Sequence, residues 1–182
     1  DALAQGEEVV PISVNFSRRH NEYADFVPNI LKRLKDYKVP SDLLEVEVTE
    51  SVFMSDLNKL TNNLETLRDR GVEISVDDFG SGYSSLNLLS KVAVDTVNLD
   101  KQFLDDTMNS EREETALTII KYLTKMLRHL GFKVLAEGVE TSEQLEMLRL
   151  ADCDIVQGYF YAKPMPIGEF RTFLQEFNER DN

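Results

Sequence analysis

The sequence predicts an α/β fold of the β/α (TIM-type) barrel kind, incomplete at about six of the usual eight strand-helix units. Short runs rich in β-branched residues alternate along the 182 residues with longer amphipathic runs of helical spacing. Alternation this regular is typical of parallel strands joined by helical crossovers. An open doubly wound sheet is the alternative, although no Gly-x-Gly-x-x-Gly turn follows a predicted strand.

Six segments are predicted strands, since apolar and β-branched residues occupy alternate positions in them. They are 9–16, 44–49, 72–77, 94–99, 132–137 and 155–160.

Apolar residues at three- and four-residue spacing predict the helices between these strands. The predicted helices are 24–38, 56–70, 86–91 and 113–130, then one opening at Thr141 and one from about Gly168. Gly71 and Gly131 are expected to end the second and fourth helices. Thr141 and Gln144 form a capping-box pattern, which fixes the start of the fifth.

The charge balance restricts the partners. Asp and Glu number 33 against 20 Lys and Arg, giving a net charge of −13, so a nucleic acid polymer and an anionic membrane surface would both be repelled. A small phosphate ligand remains possible if metal ions separate the negative charges. The single cysteine, Cys153, allows no internal disulfide, which favours a reducing, cytoplasmic location. No apolar run approaches the ~20 residues of a membrane span.

The ends of the predicted strands share one feature: an oxygen-bearing side chain on the same face. These residues are Asn15, Glu47, Asp77, Asn98, Glu137 and Gln157. The opposite face carries mostly β-branched residues that would pack on the outer helices, namely Val14, Val46, Ile74, Val76, Val97 and Val134. In a β/α barrel, interior-facing residues at the carboxyl ends of strands line the active site.

Carboxylates that converge on one barrel mouth repel one another, and divalent cations would remove that cost. No histidine or cysteine joins the set, so hard cations such as Mg²⁺, Mn²⁺ or Ca²⁺ are favoured over zinc. Adjacent Asp77 and Asp78 could place one carboxylate between two metal ions, an arrangement common in phosphoester hydrolysis. Taken alone, Asn15 or Asp78 is more typical of a turn or helix cap. Glu45 shares the face of Glu47 and needs a partner that the sequence does not identify.

Five segments resemble motifs of the EAL domain, the bacterial cyclic di-GMP phosphodiesterase module. They are SVNFS (13–17), EVTES (47–51), DDFGSGYSSL (77–86), AEGVET (136–141) and QGYFYAKPMP (157–166). The resemblance covers essentially the whole chain and implies a β/α barrel. It implies one EAL-like domain over residues 1–182, corresponding to the C-terminal three-quarters of the module, with no second domain.

The resemblance also implies a role for each matching residue. Asn15, Glu47 and Asp77 would bind one divalent metal, and Asp77 and Asp78 the second. Glu137 would act near the second metal and the attacking water, as ligand or base, with Gln157 contributing to the same site. Glu50 would anchor the loop that carries Gly80, Gly82 and Tyr83. The implied cofactor is Mg²⁺ or Mn²⁺, with Ca²⁺ as a possible inhibitor.

The chain departs from the family pattern in two places. The Glu-Ala-Leu motif that names the family, which precedes the segment matching SVNFS, is not found. We therefore expect the chain to lack the first two strand-helix units, supplied by a parent protein or covered by a partner. The second departure is Asn98, which stands where the family has a lysine. Lys101 would face the opposite side of a continued strand and is not expected to replace it.

Three functions are compatible with these features. The first is metal-dependent hydrolysis of cyclic di-GMP to pGpG, with turnover impaired by Asn98. The second is a catalytically degenerate EAL domain that acts as a cyclic di-GMP receptor or a protein-interaction module. The third is an enolase-type reaction, which is disfavoured because no lysine or histidine base ends a strand. The resemblance further implies a homodimer and sensor or diguanylate cyclase domains in the parent protein, without membrane contact by this segment.

Overall fold

The structure is a computed structural model that describes residues 2–7, 9–23, 25–49, 52, 57–79, 89, 91–108 and 113–180. Its centre is one parallel sheet whose strands follow the chain in the order β1-β2-β3-β4-β5-β6. The strands are β1 (Ile12–Phe16), β2 (Leu44–Thr49), β3 (Glu73–Phe79), β4 (Thr96–Leu99), β5 (Lys133–Ala136) and β6 (Ile155–Val156).

Helices lie between the described strands, apart from the connection of β3 to β4, most of which is outside the described residues, and they pack on one face of the sheet. They are α1 (Arg18–Glu22), α2 (Phe26–Asp36), α3 (Leu57–Arg68), α4 (Lys101–Met108), α5 (Glu113–His129), α6 (Ser142–Leu150) and α7 (Ile167–Arg180). The predicted α/β class, with parallel strands and helical crossovers, is confirmed.

The start of α6 shows how local sequence sets an element. The Thr141 side chain accepts a hydrogen bond from the Gln144 backbone N–H (3.2 Å), and the Gln144 side-chain oxygen accepts from the Thr141 N–H (3.1 Å). These reciprocal bonds use two N–H groups that the first turn of a helix cannot pair internally. The capping box predicted from the sequence is therefore confirmed.

The core lies between the outer face of the sheet and the helices. The predicted β-branched face is buried at Val46, Ile74, Val76, Val97 and Val134. These side chains belong to one cluster with buried leucines of α3, namely Leu60, Leu64 and Leu67. Burial of aliphatic side chains of this size is the dominant favourable contribution to folding. Val14 differs from the prediction: it is 40% exposed, since β1 lies at the edge of the sheet.

Three elements differ from the sequence-based expectation. Helix α1 (Arg18–Glu22) lies before the first predicted helix, 24–38. Strand β6 ends at Val156 instead of residue 160, because the chain folds back onto the segment after β5. There, the Phe160 N–H donates to the Val139 carbonyl (2.9 Å). Gly158 permits this close approach: a Cβ at that position would lie 2.1 Å from the Val139 carbonyl oxygen.

Helix α4 has no counterpart among the predicted elements. It begins just after β4, where the Asp100 carboxylate accepts from the Gln102 backbone N–H (2.8 Å). Aspartate before a first helical turn is a capping signal that could have located this helix. The predicted short helix at 86–91 falls largely outside the described residues.

Strands β1 and β6 are the two ends of the sheet, so each pairs on one side only within the described parts of the chain. The N-terminal segment contacts α7 through an ion pair between Glu7 and Arg171 (3.1 Å). Beside this pair lies an apolar cavity of about 350 Å³ lined by Val10, Ile12 and Phe170, among others. None of the described helices combines the length and apolar character needed to span a bilayer.

Candidate functional site

The strand register places the candidate residues on one face of the sheet. Residues paired across neighbouring parallel strands point to the same side, and positions two apart along a strand do so as well. Asn15 pairs with Glu47, and Glu47 pairs with Ser75. The same face continues through Asp77 on β3 and Asn98 on β4 to Glu137 just after β5. This face is opposite the valines that pack on the helices, and the residues lie toward the carboxyl ends of the strands.

A β-bulge lies where the two adjacent aspartates stand on β3. The pairing with β4 shifts register between Val76 and Phe79, and Asp78 adopts a left-handed backbone conformation with φ 60°. The Asp78 N–H donates to the Asp77 carboxylate (2.9 Å). In a regular strand, consecutive side chains point to opposite faces; a bulge inserts an extra residue and redirects the chain. This explains how Asp78, as well as Asp77, acts electrostatically on Glu137.

Asn98 is the most buried of the candidate residues, with 1% of its surface exposed. Its Nδ2 donates a hydrogen bond to Glu137 Oε1 (3.1 Å). Its Oδ1 is buried and has no hydrogen-bond partner in the described part of the structure. Asn98 therefore joins β4 to the carboxylate after β5 and leaves one strong acceptor unpaired.

The carboxylates influence one another's ionisation. Burial, together with the negative charges of Asp77 and Glu47, raises the pKa of Glu137 to about 7, while the Asn98 hydrogen bond opposes the shift. Burial and the charge of Asp77 also raise the pKa of Glu47, against a hydrogen bond from Ser13. Like charges held near one another disfavour ionisation of each. Glu47, Asp77 and Glu137 therefore share one electrostatic environment, although they lie far apart in the sequence.

The donor set fits a hard divalent cation. Carboxylate and amide oxygens are the ligands that Mg²⁺, Mn²⁺ and Ca²⁺ prefer, and the unpaired Asn98 Oδ1 is a buried oxygen donor of this kind. Among the described residues, no three His, Cys, Asp or Glu side chains lie close enough together to hold a metal ion by themselves. We call the carboxyl end of the sheet, which carries Glu47, Asp77 and Glu137, the rim. A complete coordination shell at the rim would therefore need oxygens other than those of the described carboxylates.

A second row of polar residues lies on the same face, nearer the amino ends of the strands and therefore deeper below the rim. Glu45, for which the sequence offered no partner, accepts a hydrogen bond from the Ser13 hydroxyl (3.1 Å). Lys133 on β5 forms an ion pair with Glu73 on β3 (3.1 Å). Glu45 thus has a neutral partner on the neighbouring strand, and it shares this partner with Glu47, two residues further along β2.

Lys101 lies close to the site but pairs elsewhere. It is the first residue of α4, and its side chain packs over Gly138, directly after Glu137. Its Nζ lies 3.0 Å from Asp105 and 3.3 Å from Glu140. Both pairings stabilise the ammonium and raise the pKa of Lys101. Its charge is directed to these two carboxylates, one on α4 and one in the segment between β5 and α6.

Gln157 follows β6, and its backbone N–H donates to the Ala136 carbonyl (2.9 Å). Gln157 lines a cavity of about 440 Å³ with Tyr159, Tyr161 and Lys163. The predicted loop anchor, Glu50, and the loop residues Gly80, Gly82 and Tyr83 lie outside the described residues.

The raised pKa of Glu137 predicts how stability changes with pH. In the folded protein, the Glu137 carboxyl keeps its proton up to about pH 7, whereas in the unfolded chain it loses the proton near the ordinary pKa of 4.5. In metal-free buffer, the free energy of unfolding should therefore fall as the pH rises from 4.5 to about 7. Glu137→Gln should remove this part of the slope. The variant should be about 1–2 kcal/mol more stable than wild type above pH 7, a figure reduced for solvent screening, and the difference should vanish below pH 4.5.

Urea unfolding at several pH values, in the presence of a chelator, measures this difference. Glu146→Gln, on the exposed side of α6, is the control for losing a surface carboxylate. If the free energy of unfolding depends on pH in the same way in wild type and in Glu137→Gln, then ionisation of Glu137 does not destabilise the folded protein.

Comparison with known proteins gives the family. The EAL domain family matches residues 1–164. The chain belongs to the EAL domain family. It is 38% identical over 165 residues to the signaling protein YkoW of Bacillus subtilis, covering 91% of this chain and 20% of that protein. It is 36% identical over 172 residues to the cyclic di-GMP phosphodiesterase NbdA of Pseudomonas aeruginosa, covering 94% of this chain and 22% of that protein. The chain thus spans about a fifth of the length of these curated relatives.

Solved structures of EAL proteins share the fold. The phosphodiesterase PaMucR in complex with c-di-GMP aligns with a TM-score of 0.78 and 33% identity, over 88% of this chain and 64% of that chain. BlrP1 of Klebsiella pneumoniae, in a manganese and cyclic di-GMP complex, aligns with a TM-score of 0.75 and 28% identity, over 85% of this chain and 39% of that chain. A calcium complex of BlrP1 is also known. The predicted EAL resemblance is confirmed, and with it the barrel-type α/β class.

Proposed function

We propose that this chain forms a divalent-metal site that binds cyclic di-GMP and hydrolyses it slowly to linear pGpG. The proposal is carried by the register of the sheet, which brings Glu47, Asp77 and Glu137 to one face at the carboxyl ends of the strands. Such a group of negative charges would repel a phosphodiester, so cations must lie between the site and the nucleotide. The phosphodiesterase NbdA and the nucleotide complexes of PaMucR and BlrP1 support this choice of ligand.

The proposed roles follow the family motifs onto these positions. Asn15, Glu47 and Asp77 would hold one cation, and Asp77 with Asp78 the other. Bound cations supply Lewis acidity at the phosphate and increase the acidity of a water molecule.

Glu137, whose pKa is raised to about 7, is suited to accept a proton near neutral pH. Gln157, which lines the cavity with Tyr159 and Lys163, would contribute to the same site.

Asn98 supports a second candidate function, a receptor that binds cyclic di-GMP without turning it over. It supplies a buried neutral amide that donates a hydrogen bond to Glu137. Hydrolysis builds negative charge on the phosphate, and an amide dipole stabilises this charge less well than a fixed cation would. Loss of one such contact typically costs about 10²–10³ in rate. Slow turnover and no turnover are therefore the two outcomes to separate.

The deciding experiment measures binding and product formation together. Purified protein is incubated with cyclic di-GMP and Mn²⁺, Mg²⁺, Ca²⁺ or a chelator; binding is followed by calorimetry and pGpG by chromatography. We expect metal-dependent binding, with slow pGpG formation in Mn²⁺ or Mg²⁺ and inhibition by Ca²⁺. Binding without pGpG would favour the receptor function, and failure to bind with any of the metals would contradict both.

We further propose that residues 1–182 act as one EAL-like domain of a cytoplasmic signalling protein, as a homodimer and together with sensor or diguanylate cyclase domains. The net charge of −13 supports a partner set without nucleic acid polymers or anionic membranes. Sedimentation of the purified protein with and without Mn²⁺ tests the dimer.

A further inference from the structure

The Asn98 side chain combines deep burial with an incomplete set of partners. Only 1% of its surface is exposed, and Nδ2 donates to Glu137 Oε1 (3.1 Å). Oδ1 is buried without a hydrogen-bond partner in the described structure. Buried carbonyl oxygens are paired in the great majority of cases, so an unpaired one needs an explanation. A buried amide that satisfies one end and leaves the other free is suited to hold a ligand at its free end.

The location of this oxygen indicates what the ligand is. Asn98 lies on the sheet face that carries Asp77 and Glu137. A hydrogen-bond donor or a cation could pair with Oδ1 at this place, and the carboxylates of Asp77 and Glu137 on the same face favour a cation.

The described carboxylates do not make a complete metal site by themselves. No three described His, Cys, Asp or Glu side chains are close enough to hold a metal ion alone. Hard divalent cations take six or more oxygen ligands, and amide oxygens commonly contribute. An amide that binds a metal through oxygen can still donate through nitrogen to a neighbouring carboxylate. The Asn98–Glu137 hydrogen bond is therefore compatible with both groups facing the same cation.

We propose that Asn98 is itself a metal ligand in this chain and coordinates a divalent cation through Oδ1. This rests on the proposed function, because it adds a ligand to the metal site described there. Asn98 then has two functions: Oδ1 binds the cation, and Nδ2 holds Glu137 in place. The residue that slows hydrolysis would at the same time strengthen metal binding.

The test measures Mn²⁺ affinity directly, by the loss of the electron paramagnetic resonance signal of free Mn²⁺, with no nucleotide present. Asn98→Leu removes both polar atoms at similar size, whereas Asn98→Asp keeps the oxygen and loses the N–H donor. Thr96→Val is the matched control, since Thr96 is equally buried on the same face of β4, one layer deeper. Circular dichroism and thermal unfolding in a chelator check that each variant folds.

We expect Asn98→Leu to weaken Mn²⁺ binding about tenfold or more, a loss typical of disturbing a metal site. Asn98→Asp should bind Mn²⁺ as tightly as wild type or more tightly, and Thr96→Val should change affinity less than about twofold. Equal weakening by Asn98→Leu and Asn98→Asp would overturn the proposal, because Asn98 would then act only by holding Glu137.

Unchanged affinity in Asn98→Leu would also overturn the proposal, while leaving the metal site itself intact. If wild type fails to bind Mn²⁺, the proposed function fails and the ligand role fails with it. If Asn98→Leu does not fold, wild-type-like affinity in Asn98→Asp supports the oxygen ligand, and loss of affinity in Asn98→Asp contradicts it.

Discussion

Asn98→Lys is expected to raise the rate of cyclic di-GMP hydrolysis by about 10²–10³-fold at saturating Mn²⁺. The substitution places a cation beside Glu137, where Nδ2 of Asn98 now donates 3.1 Å away. An ammonium at this point stabilises the negative charge that develops on the phosphate, whereas an amide offers only a dipole. The EAL resemblance points the same way, because the family carries lysine at this strand position. Product formation under saturating substrate measures the change.

The metal concentration must be saturating in this experiment. If Asn98 Oδ1 is a ligand, Asn98→Lys removes it and adds a repelling charge, so Mn²⁺ affinity should fall while turnover rises. Asn98→Met is the matched control, since methionine has similar length without the charge; it should give no increase. Turnover of Asn98→Lys at or below the wild-type rate would contradict the view that Asn98 limits hydrolysis.

Glu47→Gln is expected to weaken Mn²⁺ binding by about 100-fold or more and to abolish measurable turnover. Glu47 lies at the rim on β2 and pairs in register with Asn15, and the charge of Asp77 contributes to its raised pKa. The substitution removes a ligand charge and little volume. Titration with Mn²⁺ by paramagnetic resonance, with pGpG formation in parallel, measures both effects.

Two further readouts separate loss of a ligand from damage to the fold. The raised pKa of Glu47 means that its ionised form destabilises the folded protein. Glu47→Gln should therefore stabilise the metal-free protein near neutral pH. The same variant should gain less stability from added Mn²⁺ than wild type does. Glu73→Gln is the matched control, because Glu73 lies on the same face of the sheet and pairs with Lys133 on β5. Equal losses in Glu73→Gln and Glu47→Gln would contradict a specific role for Glu47.

The sequence could predict the shared face because strand geometry alone determines it. Once β1 to β5 are parallel and in order, the period-two pattern places Asn15, Glu47, Asp77 and Asn98 on one side. The same pattern identified most of the buried valines. It failed for Val14, because exposure at a sheet edge depends on neighbours that a local pattern does not contain.

The remaining features depend on contacts that no pattern encodes. The bulge at Asp77 and Asp78 is a local register shift, and its left-handed residue is an aspartate instead of the glycine that would mark it in sequence. The hydrogen bond between Asn98 and Glu137 joins residues 39 positions apart. The early end of β6 follows from the packing of Gly158 on the Val139 backbone. Helix α4 could have been predicted from the sequence, because Asp100 is a capping residue at its start.

The proposed function requires residues that are far apart in the sequence to bind shared cations at one end of the sheet. Anomalous diffraction at the manganese edge, from crystals grown with Mn²⁺, shows where the cations bind. We predict anomalous peaks bound by oxygens of Asn15, Glu47, Asp77 and Glu137, with Asn98 Oδ1 within coordination distance. Manganese bound elsewhere on the chain, with these side chains pointing to different sides of the sheet, would contradict the account.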